Sequence, residues 1–178
     1  LLTATLGFAG EESAGASLLR RDESVWTTDK DGLALGLLAA EIKARSGRDP
    51  DELYRELTRE FGQCWYERTD LPATLREADI LRSVTVEQIG AKELAGEPIE
   101  TRANAAPGGG APFGGIKVST ATGWFAARPS GTEAIYKIYA ESFRSADHLG
   151  EIQRDARTIV EGLFGEAAPP DSGMNAAR

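Results

Sequence analysis

The sequence is poor in the residues that most often carry chemistry. Its 178 residues include one cysteine, Cys64, and one histidine, His148. A single cysteine excludes an internal disulfide and fits a reducing compartment, so a cytoplasmic location is expected. One Cys with one His also excludes a zinc centre of the usual Cys/His type. A Ser-His-Asp triad would have to use His148, which is expected in the first turn of a helix, facing solvent. Cys64 is expected as a core residue of an apolar strand. Aromatic residues are scarce (7%), so the core must be mostly aliphatic. No apolar run approaches the roughly 20 residues of a membrane-spanning helix. The best, Leu33 to Ala40, is too short, and no membrane partner is expected. Basic residues are in deficit: 20 Lys plus Arg against 28 Asp plus Glu give a net charge of -8. Nucleic-acid binding needs a basic face to displace counterions, so no nucleic-acid partner is expected. Any anion must be held by a local cluster of donors. Methionine is also nearly absent, with Met174 alone and Leu1 at the start. The sequence therefore reads as a piece of a longer chain.

The patterning that is present falls into two parts. Leu2 to Phe8 reads as a short buried strand, followed by a small, polar loop from Ala9 to Ser17 and a second loop from Trp26 to Gly32. Leu33, Leu37, Leu38 and Ile42 recur at helical spacing from about Asp31 to Arg45, and Ser46-Gly47 ends that helix. Asp49-Pro50 supplies a cap and a first-turn proline for a second helix carrying Leu53, Leu57 and Phe61. This is an α/β fragment that lacks its beginning.

The second part is expected to be an α+β domain, with the boundary near Phe61 to Gly62. Cys64 to Thr69 reads as a strand, Leu71-Pro72 starts helix-like sequence through Arg82, and Thr85 can cap a short turn to Ile89. Residues 98 to 104 read as a strand and Pro107 to Gly115 as a loop. Ile116 to Ser119 and Trp124 to Ala127 form a hairpin, and Ala134 to Phe143 a longer strand. Tyr136, Ile138 and Ala140 then share one face and Lys137 and Glu141 the other. A last helix, capped by Ser145, carries Leu149, Ile152, Ala156, Ile159, Val160 and Leu163 as one stripe and ends at Gly165. Residues 166–178 are expected to form a disordered tail.

Two stretches have the composition of a binding site. In Arg128-Pro129-Ser130-Gly131-Thr132-Glu133 the guanidinium is a planar fork matched to phosphate oxygens, and the hydroxyls add donors. The glycine lets backbone N–H groups turn inward. Composition alone leaves an ordinary hairpin loop with an exposed arginine as the leading alternative. The loop Gly10-Glu11-Glu12-Ser13-Ala14-Gly15 offers carboxylates and a hydroxyl suited to sugar hydroxyls, and a solvated loop is again the plainer reading. Asp29-Lys30-Asp31-Gly32 is not a calcium loop: with Gly32 at the sixth position, the twelfth would be Leu38 rather than Glu. Lys30 remains as a cation beside a loop. The glycines around Gly108 lack the Gly-Lys-Ser/Thr ending of a P-loop.

Together, the Gly10–Gly15 loop, Trp26 to Gly32, and Arg128 to Glu133 resemble the α-D-phosphohexomutases, nearest to the bacterial phosphoglucomutase branch. The likeness extends through Tyr66 to Asp70, Gly123 to Ala127 and Tyr136 to Glu141. It implies a four-domain enzyme around a cleft, of which residues 1–61 would be the end of the third, α/β domain. Residues 62–165 would be the fourth, α+β domain, resembling the TATA-binding-protein fold, an antiparallel sheet with helices. It implies that Glu11, Ser13 and Lys30 contact the sugar. Arg128, Ser130, Gly131 and Thr132, with Lys137, would hold the phosphate that is not being transferred. The implied reaction interconverts glucose 1-phosphate and glucose 6-phosphate through a phosphoserine enzyme and a bisphosphate. Magnesium and glucose 1,6-bisphosphate serve the full-length enzyme, and none is expected to bind this chain. The Thr-x-Ser-His-Asn stretch and the Asp-Gly-Asp-x-Asp-Arg metal loop of that family are absent, so the chain alone, without its N-terminal domains, is expected to be inactive. The alternatives are a mutase for mannose or glucosamine phosphates, and a non-enzymatic phosphosugar-binding module.

Overall fold

A computed structural model describes residues 7–10, 15–24, 26, 30–105 and 110–166. The chain divides into two compact units, Leu1–Phe61 and Gly62–Arg178.

In the first unit, β1 (Phe8–Gly10) and β2 (Ala16–Leu18) pair antiparallel, Phe8 opposite Leu18 and Gly10 opposite Ala16. The strand therefore runs into the stretch expected as a loop, and Ala16 to Leu18 is its partner. Small residues obscured this, because the pairing rests on backbone bonds rather than on an apolar alternation. Residues 1–6, most of the expected first strand, lie outside the described residues. Helix α1 (Gly32–Ser46) starts where the Asp31 side chain accepts from the amides of Leu33 (2.8 Å) and Ala34 (3.1 Å). It stops at Gly47, whose left-handed backbone (φ 71°) lets its N–H donate to the Lys43 carbonyl. In α2 (Pro50–Phe61) the Glu52 carboxylate accepts from the Asp49 amide at 2.9 Å, and Arg48 pairs with Glu56 at 2.7 Å. Neither helix contains a buried residue; Leu33 and Leu37 are 83% and 73% exposed, so the apolar stripe of α1 meets no core within the described residues.

The second unit is a five-stranded antiparallel sheet with two helices on one face. Its strands are β3 (Trp65–Pro72), β6 (Thr101–Ala105), β7 (Pro112–Ser119), β8 (Gly123–Pro129) and β9 (Ile135–Ser142), in the order β3-β9-β8-β7-β6. A small hairpin, β4 (Glu93–Leu94) with β5 (Glu97–Pro98), stands apart. Ile116, Val118, Phe125, Ala127, Tyr136, Ile138 and Ala140 alternate onto one face and are buried. Helices α3 (Leu75–Arg82) and α4 (Ala146–Glu166) pack on that face, α4 through Leu149, Ile152, Ala156, Val160 and Leu163. Each large aliphatic buried here stabilises the unit by about 1.5–3 kcal/mol. All the fully buried core residues of this cluster, from Ala73 to Leu163, belong to this unit.

Several expectations are corrected here. Leu71 and Pro72 continue β3 opposite Tyr136 and Ile135 rather than opening a helix. A proline is tolerated because β3 is an edge strand, and the helix begins after Thr74, which forms a reciprocal capping box with Glu77. The glycine-rich stretch is strand from Pro112 onward, and residues 106–109 lie outside the described residues. The strand placed at 98–104 runs from Thr101 to Ala105, preceded by the β4–β5 hairpin. Arg128 and Pro129 close β8 instead of lying in the loop. Cys64 is half-buried ahead of β3, not in the core. Helix α4 runs one residue past Gly165, and residues 167–178 lie outside the described residues.

His148 is buried (4% exposed) rather than solvent-facing. Its Nδ1 lies 2.9 Å from Ser142 Oγ, which accepts from the amides of Arg144 (3.1 Å) and Ser145 (3.3 Å). His148 thus ties the start of α4 to the end of β9, a structural task. Glu97 ties the small hairpin to the far end of the sheet. Its carboxylate accepts from Thr120 Oγ1 (2.8 Å), Thr122 Oγ1 (2.7 Å), the Thr122 amide (3.3 Å) and Arg144 (3.1 Å). The Thr122 hydroxyl above all holds this carboxyl below the usual range, against the burial that would raise it. Among the described residues no helix is long and apolar enough to cross a membrane.

Candidate functional site

The Arg128 to Glu133 stretch caps the hairpin of β8 and β9. Its base is rigid. Pro129 stands opposite Tyr136, the last pair before the loop, and the Ser130 amide donates to the Ile135 carbonyl at 2.9 Å. Tyr136 is buried and packs edge-on against Phe164 of α4, with ring centroids 5.5 Å apart and planes at 81°. Burial, more than the neighbouring Glu161, pushes the Tyr136 hydroxyl above its ordinary value. The loop is thus anchored through one strand end to the helix that covers the sheet.

Within the loop, Ser130 Oγ accepts from the amides of Thr132 (3.4 Å) and Glu133 (3.3 Å). These bonds are long, and a phosphate oxygen is a stronger acceptor for the same amides. Gly131 and Thr132 are exposed. A Cβ at Gly131 would meet nothing within 4 Å, and its backbone is not left-handed, so the loop does not need glycine to turn. The open space over Gly131 is instead where a ligand can approach the backbone.

Arg128 and Lys137 are direct cross-strand partners, and Lys137 stands opposite Asp70 on its other side. Both cations lie on the sheet face that the helices leave uncovered, since Ala127 and Ile138, one place along each strand, point into the core. Arg128 Nη2 donates to Tyr139 Oη at 3.1 Å, and its guanidinium carbon lies 5.4 Å from the Tyr139 ring centroid. Behind Arg128, Gly115 of β7 has no room for a side chain: a Cβ there would lie 2.2 Å from the Ala127 carbonyl oxygen and 2.9 Å from Arg128 Cβ. Tyr139 fell within the Tyr136 to Glu141 likeness with no role attached to it, and Gly115 was read only as part of a glycine-rich connection. Counting by two along β9 from Lys137 would have found Tyr139, and Gly115 is visible only through its neighbour strand.

Farther along the same face, Lys117 Nζ sits 4.3 Å from the Trp124 ring centroid, and Trp124 Nε1 donates to Glu141 at 2.7 Å. Arg68 is paired with Asp70 at 3.0 Å.

In the first unit, Lys30 is exposed immediately before Asp31, the residue that caps α1. The Asp31 amide donates to the Ala16 carbonyl at 2.7 Å, and Trp26 Nε1 donates to the Asp31 carboxylate at 3.3 Å. The Ala34 amide, with the Trp26 indole, lowers the Asp31 pKa. Arg20 stacks over Trp26 at 5.4 Å. Lys30 is therefore carried on a segment fixed to β2 and to the helix start. Glu11 and Ser13 lie outside the described residues. Among the described residues, no group of three or more His, Cys, Asp and Glu side chains is placed to hold a metal ion.

Comparison with known proteins bears on both units. Residues 1–61 match the model for phosphoglucomutase/phosphomannomutase, alpha/beta/alpha domain III, and residues 76–159 match that for the phosphoglucomutase/phosphomannomutase C-terminal domain. The chain is 57% identical over 173 residues to a phosphoglucomutase from Komagataeibacter xylinus, a match that covers 97% of this chain and 31% of that protein. The chain thus spans about a third of the length of that curated relative. Among solved structures, a phosphoglucomutase/phosphomannomutase family protein from Burkholderia thailandensis shares the fold, with a TM-score of 0.52 at 24% identity, over 91% of this chain and 29% of that one. Two domain models in family order, covering most of the sequence, and a relative alike over nearly all of it lead to one conclusion: the chain belongs to the phosphoglucomutase/phosphomannomutase family.

Proposed function

We propose that this chain is the substrate-binding C-terminal part of a phosphoglucomutase, which interconverts glucose 1-phosphate and glucose 6-phosphate. The observation that carries the reading is the loop from Arg128 to Thr132, with Arg128 and Lys137 paired at its base on an uncovered sheet face. In a chain of net charge -8, two cations and a set of loop amides in one place favour a dianion there. In this reading Arg128 and Lys137 neutralise the phosphate that is not being transferred. The amides and hydroxyls of Ser130 to Thr132 orient its oxygens. Lys30, with Glu11 and Ser13, contacts the sugar. A mutase must accept its substrate in two orientations, phosphorylated at C1 or at C6. A loop of donors around a non-reacting phosphate serves both, because the phosphate looks the same from either end. Holding that group fixes the reacting oxygen elsewhere in the cleft, and positioning with electrostatics supplies most of the catalysis in phosphoryl transfer.

The phosphoserine, the magnesium ion that neutralises developing charge, and the site at which glucose 1,6-bisphosphate turns over belong, in this proposal, to other domains of the same polypeptide. The cytoplasm is the proposed compartment, consistent with a single thiol. Glucose is preferred over mannose on the 57% identity to a protein bearing the phosphoglucomutase name.

The test is a coupled assay for glucose 6-phosphate formation. The 178-residue chain alone should give no turnover, and the polypeptide carrying the upstream domains should give turnover that is faster on glucose 1-phosphate than on mannose 1-phosphate or glucosamine 1-phosphate. Turnover by the chain alone overturns the division of labour, and faster mannose turnover overturns the substrate.

A further inference from the structure

Arg128 is a long side chain on an exposed sheet face, and such a chain normally samples many rotamers. A phosphate-binding arginine works best when its planar edge is already presented. The structure supplies a fixed post for it. Tyr139 lies on β9, between β3 and β8, with Arg68 as its register partner on one side and Ala126 on the other. Its ring is half-buried and has only two side-chain torsions, so strand pairing on both sides fixes its place. Arg128 pairs with Lys137, two residues before Tyr139, which makes Arg128 and Tyr139 diagonal neighbours on one face. Two contacts join them. The phenol oxygen accepts from Nη2 at 3.1 Å, and the guanidinium carbon stands 5.4 Å from the ring centroid. The hydrogen bond sets the rotation of the guanidinium plane, and the ring limits its approach to the sheet.

We propose that Tyr139 is a positioning residue for phosphate binding: it holds the Arg128 guanidinium so that the opposite edge faces the Ser130–Thr132 loop. The proposal rests on the reading of that loop as the phosphate subsite. Tyr139 itself does not touch the phosphate. Its hydroxyl therefore matters only while Arg128 is present, which a merely structural tyrosine would not require.

The experiment is a double-mutant cycle in the full-length enzyme, reading kcat and KM for glucose 1-phosphate with Tyr139→Phe, Arg128→Ala and the pair. Removing the hydroxyl while keeping the ring should raise KM about tenfold to a hundredfold, the scale of one hydrogen bond to a charged group. The change in kcat should be small, because the distal phosphate is bound alike in ground and transition states. Arg128→Ala should raise KM further, and adding Tyr139→Phe to it should change nothing more. Arg128→Lys, which keeps the charge but cannot present a planar edge, should also be insensitive to Tyr139→Phe; this arm decides the matter if Tyr139→Phe lowers the urea midpoint. An unchanged KM in Tyr139→Phe, beside a raised KM in Arg128→Ala, overturns the positioning role and leaves the phosphate loop standing. Equal effects of Tyr139→Phe with and without Arg128 overturn it too. An unchanged KM in Arg128→Ala removes the phosphate assignment, and the positioning role with it.

Discussion

Gly115→Ala is the sharpest available test of how the sheet positions Arg128. The added methyl would lie 2.2 Å from the Ala127 carbonyl oxygen and 2.9 Å from Arg128 Cβ, where ordinary contact begins at 3.4 Å. The obstructing atoms are main chain and a Cβ, not the tip of a flexible side chain. Relief therefore requires β7 and β8 to separate locally by about an ångström, at the residues that carry Arg128. Overpacking of this kind costs about 1–3 kcal/mol, and the rigid neighbours on both strands place this site at the upper end. Because Gly115 does not have a left-handed backbone, alanine adds no torsional strain, and the cost is steric alone. Displacement of a binding group by about 1 Å can lower rate by about a hundredfold. Two measurements follow. Urea unfolding of residues 62–166 should show a lower midpoint with an unchanged slope. In the full-length enzyme, kcat/KM for glucose 1-phosphate should fall by more than tenfold. A variant within about 0.5 kcal/mol of the parent, with unaltered kcat/KM, refutes the argument. Lost stability with intact kinetics refutes its functional half.

Glu97→Gln replaces an acceptor of four hydrogen bonds by a group whose amide faces donors; about 2 kcal/mol should be lost at pH 7. The Glu97 pKa is lowered in the folded state, so its contribution is complete above the ordinary carboxylate pKa and disappears as pH falls through the folded value. The gap between parent and variant in urea midpoint should therefore close below about pH 4, and a constant gap from pH 7 to pH 3 contradicts this. Ser142→Ala leaves His148 Nδ1 and the amides of Arg144 and Ser145 without their shared partner, and should destabilise the second unit by about 1–3 kcal/mol in the same assay; an effect under 0.5 kcal/mol would show that the link is dispensable. Limited proteolysis should cut near Phe61–Gly62 and leave the second unit, because the apolar stripe of α1 is exposed while the second unit has its own core. Survival of both units together, read by mass spectrometry, would contradict that.

Legibility in the sequence followed the range of the forces involved. Helix α1 was readable at both ends because its signals are local: a carboxylate at Asp31 and a glycine at Gly47 act on amides and carbonyls within one turn. The stripe of α4 was readable for the same reason. The hairpin of β1 and β2 was not, since its residues are small and pairing across a turn leaves no periodic trace. Leu71 and Pro72 were misread because a proline near apolar residues signals a helix start locally, while a strand edge permits it only in the context of a neighbour. His148 was misread because first-turn helix positions are usually exposed, and its burial depends on Ser142 six residues earlier on another element.

By itself the sequence determined that the chain has two parts, that any anion it binds must be held by a local cluster of donors, and that a polar turn containing Ser130 to Glu133 joins two strands. These follow from composition and order, which need no third dimension. Only the tertiary structure decided that Arg128 belongs to a strand, with Lys137 beside it, Tyr139 tethering it and Gly115 leaving room behind it. Those relations arise from the register of three strands whose paired residues lie nine or more positions apart in the chain. Register is set by the burial of the opposite face. The apolar alternation that fills the core is thus also what brings the cations of the outer face together.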